Sequence, residues 1–376
     1  MFEPVEKKPK LDNHPKIRAI LSEDFMKNIH LTPAIISCIE KKQHISSIIK
    51  ELSQNLPLAK SIQHLKRVRQ REVLICTAAE IPECIGVQRV HETLRTHLQS
   101  LGCSDNIIKQ LCAVVMVQEV PSSPIKLRWQ YEAMQKCWPC KFHPNAYMES
   151  LYNGSNFSLA QSIFHRSVAA LAVRMSNELE LQKPFGICID PRTHAIVALA
   201  SSSNTVSPVM HCSMVLIDFV ARTQNAGAWK SCFKEEIFIE DDKESDNSTQ
   251  LIMRGIIKRY YNYIENKFSG DKRFIFGAEP LKENRKDFMD KETVVNSTDN
   301  LSRFGPYLCT GYDIYLTQEP CLMCAMALVH SRVRRIFYVN PSSNGALCTR
   351  FKLQTVKELN HHYEVFQCEA NQKDLE

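Results

Sequence analysis

The sequence lacks any long apolar run. No stretch approaches the roughly 18 consecutive apolar residues that a membrane-spanning helix needs, although 44% of the 376 residues are hydrophobic. The opening segment, MFEPVEKKPKLDN, holds no apolar stretch of the kind found in a secretory signal. We therefore expect a globular protein with no membrane partner and no secretory signal.

The second half of the chain lacks any excess of charge. Residues 151–376 hold 26 Lys and Arg against 26 Asp and Glu, whereas residues 1–150 hold 21 against 15. The net charge of +6 therefore lies in the first 150 residues, which favours a contact with nucleic-acid phosphates there. A basic surface without that role explains so modest an excess equally well. The candidate RNA-binding side chains are Lys66, Arg67, Arg69, Arg71, Lys126 and Arg128.

A disulfide framework is not expected either. The chain has 15 cysteines, and without a secretory signal such cysteines are typical of a protein in a reducing compartment. The run KKPK at residues 7–10 is compatible with a nuclear-import signal. A solvated terminal segment is the simpler interpretation of that run, and we prefer it.

The length of the chain predicts two domains. Residues 1–150 contain a candidate buried strand at 72–78, apolar positions at helical spacing between 87 and 101, and a second candidate strand at 111–118. This alternation predicts a small N-terminal α/β domain.

The second domain is expected over about residues 155–370, with the order helix, strand, strand, helix, strand, helix, strand. A stretch near 234–305, dense in charged and polar residues, interrupts this order and is interpreted as a surface insertion with a short helix around Tyr260–Tyr263. The predicted elements are a helix at 159–181, strands at 185–189 and 195–200, a helix at 210–223, a strand at 312–316, a helix at 321–330 and a strand at 333–338.

The segment Pro320-Cys321-Leu322-Met323-Cys324 follows a predicted strand and opens an apolar helix. Two cysteines three residues apart at a helix start project toward one point, and the positive helix end favours their thiolates. His211 opens another predicted helix and is a candidate third ligand. Thiolates and imidazole suit zinc, so we predict one Zn²⁺ on His211, Cys321 and Cys324, with water or a protein group at the fourth position.

Two other patterns are weaker metal candidates. Cys137 and Cys140, with His143 nearby, have the same spacing but lack a strand before them and an apolar helix after them. Because cysteine is often simply buried, we interpret this pair as structural. His194 lies between a turn and a strand, and we interpret it as a histidine at a strand end.

The zinc motif lacks its catalytic acid. Zinc deaminases have the pattern H-x-E…P-C-x-x-C, in which the glutamate shuttles protons, but the position two residues after His211 is Ser213. Loss of a general acid–base group costs about 10²–10⁴ in rate. Glu319 is the one nearby substitute, and we favour a structural role for it. The sequence therefore predicts a metal site without deaminase chemistry.

At these residues the chain resembles the cytidine deaminase-like superfamily, and within it the third, non-catalytic subunit of eukaryotic tRNA-specific adenosine deaminase. The run from 317 to 338 is the most specific part of the resemblance, whereas the zinc motif is shared among many deaminases. Two features depart from the common pattern: Ser213 stands where an apolar residue is usual, and the tail continues past Phe366. The segments that carry the resemblance are residues 138–143, 211–222, 307–313, 317–338, 345–351 and 359–361.

The resemblance implies a three-layer α/β/α cytidine deaminase-like domain beside the smaller N-terminal domain. It also implies a heterodimer in which a catalytic sister subunit converts adenosine at the tRNA wobble position, position 34, to inosine. This chain would then hold a structural zinc, help to bind the tRNA anticodon arm through its N-terminal domain, and occur in nucleus and cytoplasm.

Two alternatives remain open at this point. One is an active zinc deaminase of nucleosides or RNA that uses a different acid, which predicts turnover by the purified chain. The other is an RNA-binding scaffold without a deaminase partner, which predicts tRNA binding by the chain alone.

Overall fold

The structure is a computed structural model that describes residues 16–81, 90–240, 251–268, 273–280 and 307–375. Two compact units divide it: one combines Met1–Ser22 with Gly154–Glu376, and the other is Glu23–Asn153. The strands are β1 (Ile17–Ala19), β2 (Leu31–Cys38), β3 (Val68–Arg69), β4 (Glu72–Thr77), β5 (Val115–Pro121), β6 (Phe185–Asp190), β7 (Ala195–Ser201), β8 (Ile275–Phe276), β9 (Asp313–Gln318), β10 (Arg335–Asn340) and β11 (Glu364–Cys368). The α-helices are α1 (Glu23–Met26), α2 (Ile45–Asn55), α3 (Val90–Ser100), α4 (Asp105–Leu111), α5 (Arg128–Met134), α6 (Ala146–Asn153), α7 (Leu159–Glu178), α8 (Cys212–Thr223), α9 (Lys258–Lys267) and α10 (Leu322–His330).

A mixed sheet forms the centre of the larger unit. Within the described ranges its strand order is β1-β11-β10-β9-β6-β7-β8. Strands β9, β10 and β11 run parallel to one another, whereas β6 pairs antiparallel with both β9 and β7. The strands predicted at 185–189, 195–200, 312–316 and 333–338 are therefore present, with ends shifted by up to two residues.

Helices cover both faces of this sheet. On one face, the hydroxyl of Tyr315 in β9 lies 2.6 Å from His165 Nδ1 of α7. The next residue, Leu316, faces the opposite side, where α8 approaches so closely that a Cβ on Gly186 would lie 3.0 Å from Cys212 Sγ. Helix α10 packs on α8. The predicted three-layer α/β/α arrangement is confirmed.

Helix α7 begins where its sequence provides a cap. Ser158 Oγ accepts a hydrogen bond from the backbone N–H of Gln161, and the Gln161 side chain accepts one from the backbone N–H of Ser158. Small and apolar residues such as Ala169, Ala172 and Met175 are buried against the sheet. The predicted helix at 159–181 is confirmed and ends at Glu178.

The smaller unit contains an antiparallel sheet in the order β3-β4-β2-β5. Ile35 and Ile75 belong to an apolar cluster formed with helices α2, α3 and α4, whereas Ile36 and Leu74 belong to a second cluster that includes the fully buried Trp138. Because neighbouring residues of a strand point to opposite faces, the sheet is covered on both sides. The predicted small α/β domain is present.

The predicted strand at 111–118 is wrong at its start. Helix α4 continues to Leu111, and β5 begins only at Val115. Met116 and Val117 are exposed because β5 pairs with β2 at the edge of the described sheet. The apolar run predicted a buried strand, but a strand at the edge of a sheet has a partner on one side only.

The N-terminal boundary also differs from the prediction of one domain over residues 1–150. Strand β1 pairs antiparallel with β11, and Ile20 N donates a hydrogen bond to Val365 O, so this segment extends the larger unit's sheet. The partner strand lies almost at the other end of the chain, which no local pattern in the sequence reveals.

The stretch at 234–305 contributes to the larger unit's core where it is described. Helix α9 confirms the short helix predicted there, and its Tyr260 is buried with the ring edge-on to Phe185. Strand β8 adds to the sheet beside β7. The interpretation as a surface insertion is therefore wrong for these parts. Residues 241–250, 269–272 and 281–306, like the KKPK run and Val87, lie outside the described residues.

None of the helices within the described ranges combines the length and the apolar character that crossing a membrane requires.

Acidification is predicted to destabilise the larger unit through His165. Burial, reinforced by Arg335, His194 and Arg334, lowers the pKa of His165 to about 3, so the folded protein keeps this imidazole neutral. The unfolded chain binds a proton there at about pH 6.5, so stability is lost as the pH falls below that value. Between pH 7 and pH 5 we expect the wild type to lose about 2 kcal/mol more than His165→Gln. Denaturant unfolding at both pH values measures this, and equal losses in the two proteins would contradict a neutral buried imidazole.

Candidate metal centre

Two of the predicted ligands occupy the same position on different helices. His211 is the N-cap of α8 and Cys321 is the N-cap of α10. A side chain at this position usually accepts a hydrogen bond from its own helix, but neither His211 nor Cys321 does so. Both side chains are therefore free to turn toward a common point between the helices.

Cys324, one turn into α10, completes the group. The ligand atoms of His211, Cys321 and Cys324 all lie within 4.8 Å of one another. Cys321 Sγ lies 3.5 Å from His211 Nδ1, which agrees with the roughly 3.6 Å that separates a thiolate and an imidazole nitrogen bound to one tetrahedral zinc. The donor set and its spacing fit Zn²⁺ as predicted.

The surroundings of Cys324 disfavour a thiolate unless a cation compensates its charge. The residue is 2% exposed, and burial together with the neighbouring Cys321 raises the pKa of its thiol. A metal ion deprotonates a coordinating thiol and compensates its charge. The N-termini of α8 and α10 add partial positive charge on the same side.

A cleft of about 200 Å³ opens at the three ligands. This is smaller than the roughly 300–1,000 Å³ of ordinary small-molecule pockets. Among the residues that line the cleft, Glu319 is the only carboxylate. The other lining residues are Pro184, Phe185, Ser202, Asn204, His211, Cys212, Ser213, Leu316, Gln318, Pro320, Cys321, Cys324, Ser342 and Asn344.

Glu319 is held by the loop that follows β10. Its Oε1 accepts hydrogen bonds from the backbone N–H groups of Leu347, Cys348 and Thr349 at 2.7–3.0 Å. Its Oε2 accepts from the backbone N–H of Ser342 and from the Thr349 hydroxyl. Both oxygens are therefore engaged in binding the loop.

These hydrogen bonds make Glu319 a poor proton shuttle. Burial alone would raise its pKa, but the donors from Thr349, Cys348 and Ser342 outweigh burial and lower it. A Cβ on Gly345 would overlap the carboxylate, which shows how tightly the loop closes on it. Gly345 also forms an isolated β-bridge with Cys321. This supports the structural role that the sequence favoured for Glu319, and it leaves the cleft without a free acid.

The weaker metal candidates have other roles in the structure. Cys140 donates its thiol to Trp138 O and forms a β-bridge with Leu65. His194 has a left-handed backbone with φ of 61° and stacks on Phe164 at 4.2 Å. Within the described residues, His211, Cys321 and Cys324 form the one group with metal-binding geometry.

Two of the basic candidates for RNA binding are used inside the smaller unit. Arg67 donates to Leu56 O and Ile75 O, and Arg69 donates to Glu72, Cys137 O and the Gln118 side chain while stacking on Trp138. These contacts give both arginines a structural role that does not involve RNA. The candidates with exposed positions are Lys66, Arg71, Lys126 and Arg128.

The C-terminal tail lies away from the metal ligands. Asp374 pairs with Arg166, and its backbone carbonyl accepts a hydrogen bond from Ser167 Oγ at 2.7 Å, so the tail packs on α7. Helix α7 and the ligands lie on opposite faces of the sheet. The described part of the tail therefore supplies no ligand.

The loop at 342–349 is the part of the site that sequence reasoning missed. The pair Asn344-Gly345 indicates a turn, but nothing in it indicates that Glu319 holds this turn against Cys321. The cleft-lining Asn204 was likewise not predicted, because it lies in a polar loop without a recognisable motif.

Comparison with known proteins gives a consistent set of relatives. No protein-family model matches the chain. The "Probable inactive tRNA-specific adenosine deaminase-like protein 3" of Danio rerio is 30% identical over 380 residues, which cover 96% of this chain and 94% of the relative. The protein of the same name from Homo sapiens is 29% identical over 361 residues, 92% of this chain and 87% of the relative. The "tRNA-specific adenosine deaminase subunit TAD3" of Saccharomyces cerevisiae is 48% identical over 66 residues, 16% of this chain and 20% of the relative.

Replacing Glu319 by Gln tests whether the carboxylate is structural. The amide turns an NH₂ group toward backbone donors, so we expect Glu319→Gln to lose about 2–3 kcal/mol of unfolding free energy at pH 7. Because folding lowers the pKa of Glu319, this stability is present above about pH 4.5 and is lost as the pH falls through the folded-state value. The deficit of the variant should therefore shrink in acid.

Denaturant unfolding of wild type, Glu319→Gln and the exposed control Glu358→Gln at pH 7 and near pH 4 measures the difference. A Glu319→Gln protein as stable as the Glu358→Gln control would show that the loop does not depend on the carboxylate.

Proposed function

This chain belongs to the tRNA-specific adenosine deaminase-like protein 3 family, and we propose that it is the non-catalytic subunit of a heterodimeric deaminase that converts adenosine at tRNA position 34 to inosine. The observation that carries the proposal is a complete set of metal ligands beside Ser213, in a cleft whose single carboxylate is committed to a loop. A catalytic sister subunit supplies the chemistry.

Proton transfer is the step that this chain cannot perform. Deamination by a zinc-bound water requires one group to take a proton from the water and return it to the base. A serine hydroxyl is a poor base near neutral pH, and Glu319, with its lowered pKa, stays ionised and fully hydrogen-bonded. This argues against the alternative of an active deaminase that uses a different acid.

His211, Cys321 and Cys324 would hold one Zn²⁺, which would compensate thiolate charge and join the starts of α8 and α10. The role we propose for it is structural: it keeps the two helices in the arrangement that a partner subunit contacts. The fourth position would take water or a group from a partner.

The tRNA contact is proposed to lie on the smaller unit, because Glu23–Asn153 holds 16 Lys and Arg against 12 Asp and Glu and thus most of the net charge of +6. Lys66, Arg71, Lys126 and Arg128 are the side chains that remain available for phosphates.

We propose that the protein acts in both nucleus and cytoplasm.

The first test is inosine formation on a tRNA with adenosine at position 34, together with a zinc count. We expect no inosine from the purified chain, robust formation after the catalytic sister subunit is added, and about one zinc per chain. The Cys321→Ser, Cys324→Ser variant, which lacks two of the three ligands, is the zinc-free reference.

Each alternative predicts a different result. Inosine formation by the chain alone would identify an active deaminase and would overturn the non-catalytic assignment. Tight tRNA binding by the chain alone, with no inosine formed after the sister subunit is added, would indicate an RNA-binding scaffold.

The tRNA contact is tested by removing exposed charge. We expect Lys66→Gln, Arg71→Gln to weaken tRNA binding by the reconstituted heterodimer and to make the slope of log affinity against log salt shallower by about 1 to 2. The reason is that each phosphate contact releases counterions on binding, so binding with fewer contacts depends less on salt. Binding titrations at several salt concentrations measure this slope. The matched control is Lys234→Gln, Lys258→Gln, which removes equal charge from exposed positions of the larger unit. Equal slopes for both double variants would place the tRNA contact elsewhere.

A further inference from the structure

Two extended segments of the smaller unit lie side by side and form a short ribbon. Leu65 and Cys140 are joined by an antiparallel β-bridge. A hydrogen bond from the backbone N–H of Lys66 (2.9 Å) and one from the backbone N–H of Lys141 (2.7 Å), each to a carbonyl of the other segment, flank the bridge. Trp138 Nε1 donates to Lys66 O at 2.7 Å. The backbone on both sides of the bridge is therefore fixed.

The ribbon presents two lysines on its outer side. Leu65 and Cys140 belong to the apolar cluster around Trp138 and are 0% and 4% exposed. Because neighbouring residues of an extended segment point to opposite sides, Lys66 and Lys141 point away from this cluster, and both are exposed. Diagonal neighbours across an antiparallel pair lie about 7–8 Å apart. The two long side chains can therefore contact the same stretch of an anionic ligand.

The charge of these two lysines is not used within the fold. Among the residues that the structure describes, neither Lys66 nor Lys141 pairs with a carboxylate. Lys141 Nζ lies 3.4 Å from the backbone carbonyl of Gln63, an uncharged partner. By contrast, Lys27 of the same unit has its Nζ 3.1 Å from the Glu23 carboxylate. An external anion would thus meet two uncompensated positive charges on the ribbon.

The two faces of the smaller unit's sheet differ in charge. Residues 58–66 and 125–142, which include the ribbon and pack on the cluster around Trp138, hold six Lys and Arg against one Glu, a net charge of +5. Helices α2, α3 and α4, which cover the opposite face, hold three Lys and Arg against three Asp and Glu, a net charge of zero. A basic surface without a role gives no reason for such a division. A concentration of cations on one face is typical of a contact with a polyanion.

We propose that the surface formed by residues 58–66 and 125–142, here called the ribbon face, binds the sugar-phosphate backbone of tRNA, with Lys66 and Lys141 acting as a pair. This inference rests on the proposed function and assigns the tRNA contact to one side of the smaller unit's sheet. Phosphate contacts position a nucleic acid without reading its sequence, which suits a subunit that leaves the chemistry to its partner. The exposed cations of the ribbon face are Lys60, Lys66, Lys126, Arg128, Lys136 and Lys141.

Salt-dependent tRNA binding by the reconstituted heterodimer tests the pair. Two lost phosphate contacts make the slope of log affinity against log salt shallower by about 2. Between about 50 and 200 mM salt, the wild type should therefore lose roughly tenfold more affinity than Lys66→Gln, Lys141→Gln. The charge-conserving Lys66→Arg, Lys141→Arg should behave like the wild type. Circular dichroism and thermal unfolding verify that each variant is folded.

The matched control lies on the other face of the same sheet. Lys50→Gln, Lys109→Gln removes equal charge from exposed positions on α2 and α4. We expect this variant to keep the salt dependence of the wild type, because α2 and α4 lie on the face opposite the ribbon.

Acylation of lysines in the presence and absence of tRNA maps the contact directly. With mass spectrometry as the readout, bound tRNA should slow the acylation of Lys66 and Lys141 in the wild-type heterodimer. The rates at Lys50 and Lys109 should not change.

The outcomes separate this inference from the proposed function. A heterodimer that neither binds tRNA nor forms inosine would overturn both. An active heterodimer in which tRNA protects Lys50 and Lys109 but not the ribbon face, or in which both Gln double variants have the same salt dependence, would overturn the ribbon face alone. An active heterodimer in which tRNA protects no lysine of the smaller unit would also overturn it, while the non-catalytic assignment would stand.

Discussion

The larger unit depends on two helix starts that meet at one point beside its sheet. Helix α8 follows β7, and helix α10 connects β9 to β10, which lies parallel beside β9. His211 and Cys321 are N-caps whose side chains accept no capping hydrogen bond from their own helices. The absence of a side chain at Gly186 lets α8 come close, and Glu319 holds the neighbouring loop. The geometry of the candidate metal site thus follows from the placement of backbone elements.

The same arrangement explains how metal ligands and chemistry can separate. The candidate ligands are positioned by the two helix starts, whereas proton transfer in zinc deaminases requires a carboxylate at the position that Ser213 occupies. The hydroxyl of Ser213 supplies no such base, and both helix starts are nevertheless formed with their candidate ligands close together. A neutral side chain at this buried position also avoids the repulsion that a carboxylate would meet beside two thiolates of a metal site. A structural centre is therefore a short step from a catalytic one on this framework.

The sequence predicted what depends on neighbours along the chain. Helix α7, strands β6 and β7, and the ligand motif after β9 are local patterns with local signals, such as the Ser158–Gln161 cap. It did not reveal contacts between distant segments: the pairing of β1 with β11, the addition of β8 to the sheet, or the acceptors that Gln118 and Cys137 present to Arg69. A basic cluster in a sequence shows charge but not whether the fold has already used it. The sequence favoured a structural role for Glu319 but did not identify its partners, which lie in a loop more than 20 residues further along the chain.

The pairing of β1 with β11 makes the larger unit discontinuous in sequence, with Glu23–Asn153 inserted after its first strand. During synthesis, the smaller unit is complete once residue 153 has left the ribosome and can fold at that stage. The outer strand β1 of the larger sheet has to wait for its partner Glu364–Cys368, which follows the smaller unit in the chain. Domains generally fold in the order of their synthesis, so β1, which precedes the smaller unit in the chain, takes its place in the sheet only after that unit has been made. Until then the backbone N–H and C=O groups of β1 have no strand partner, and such exposed groups can pair with another chain.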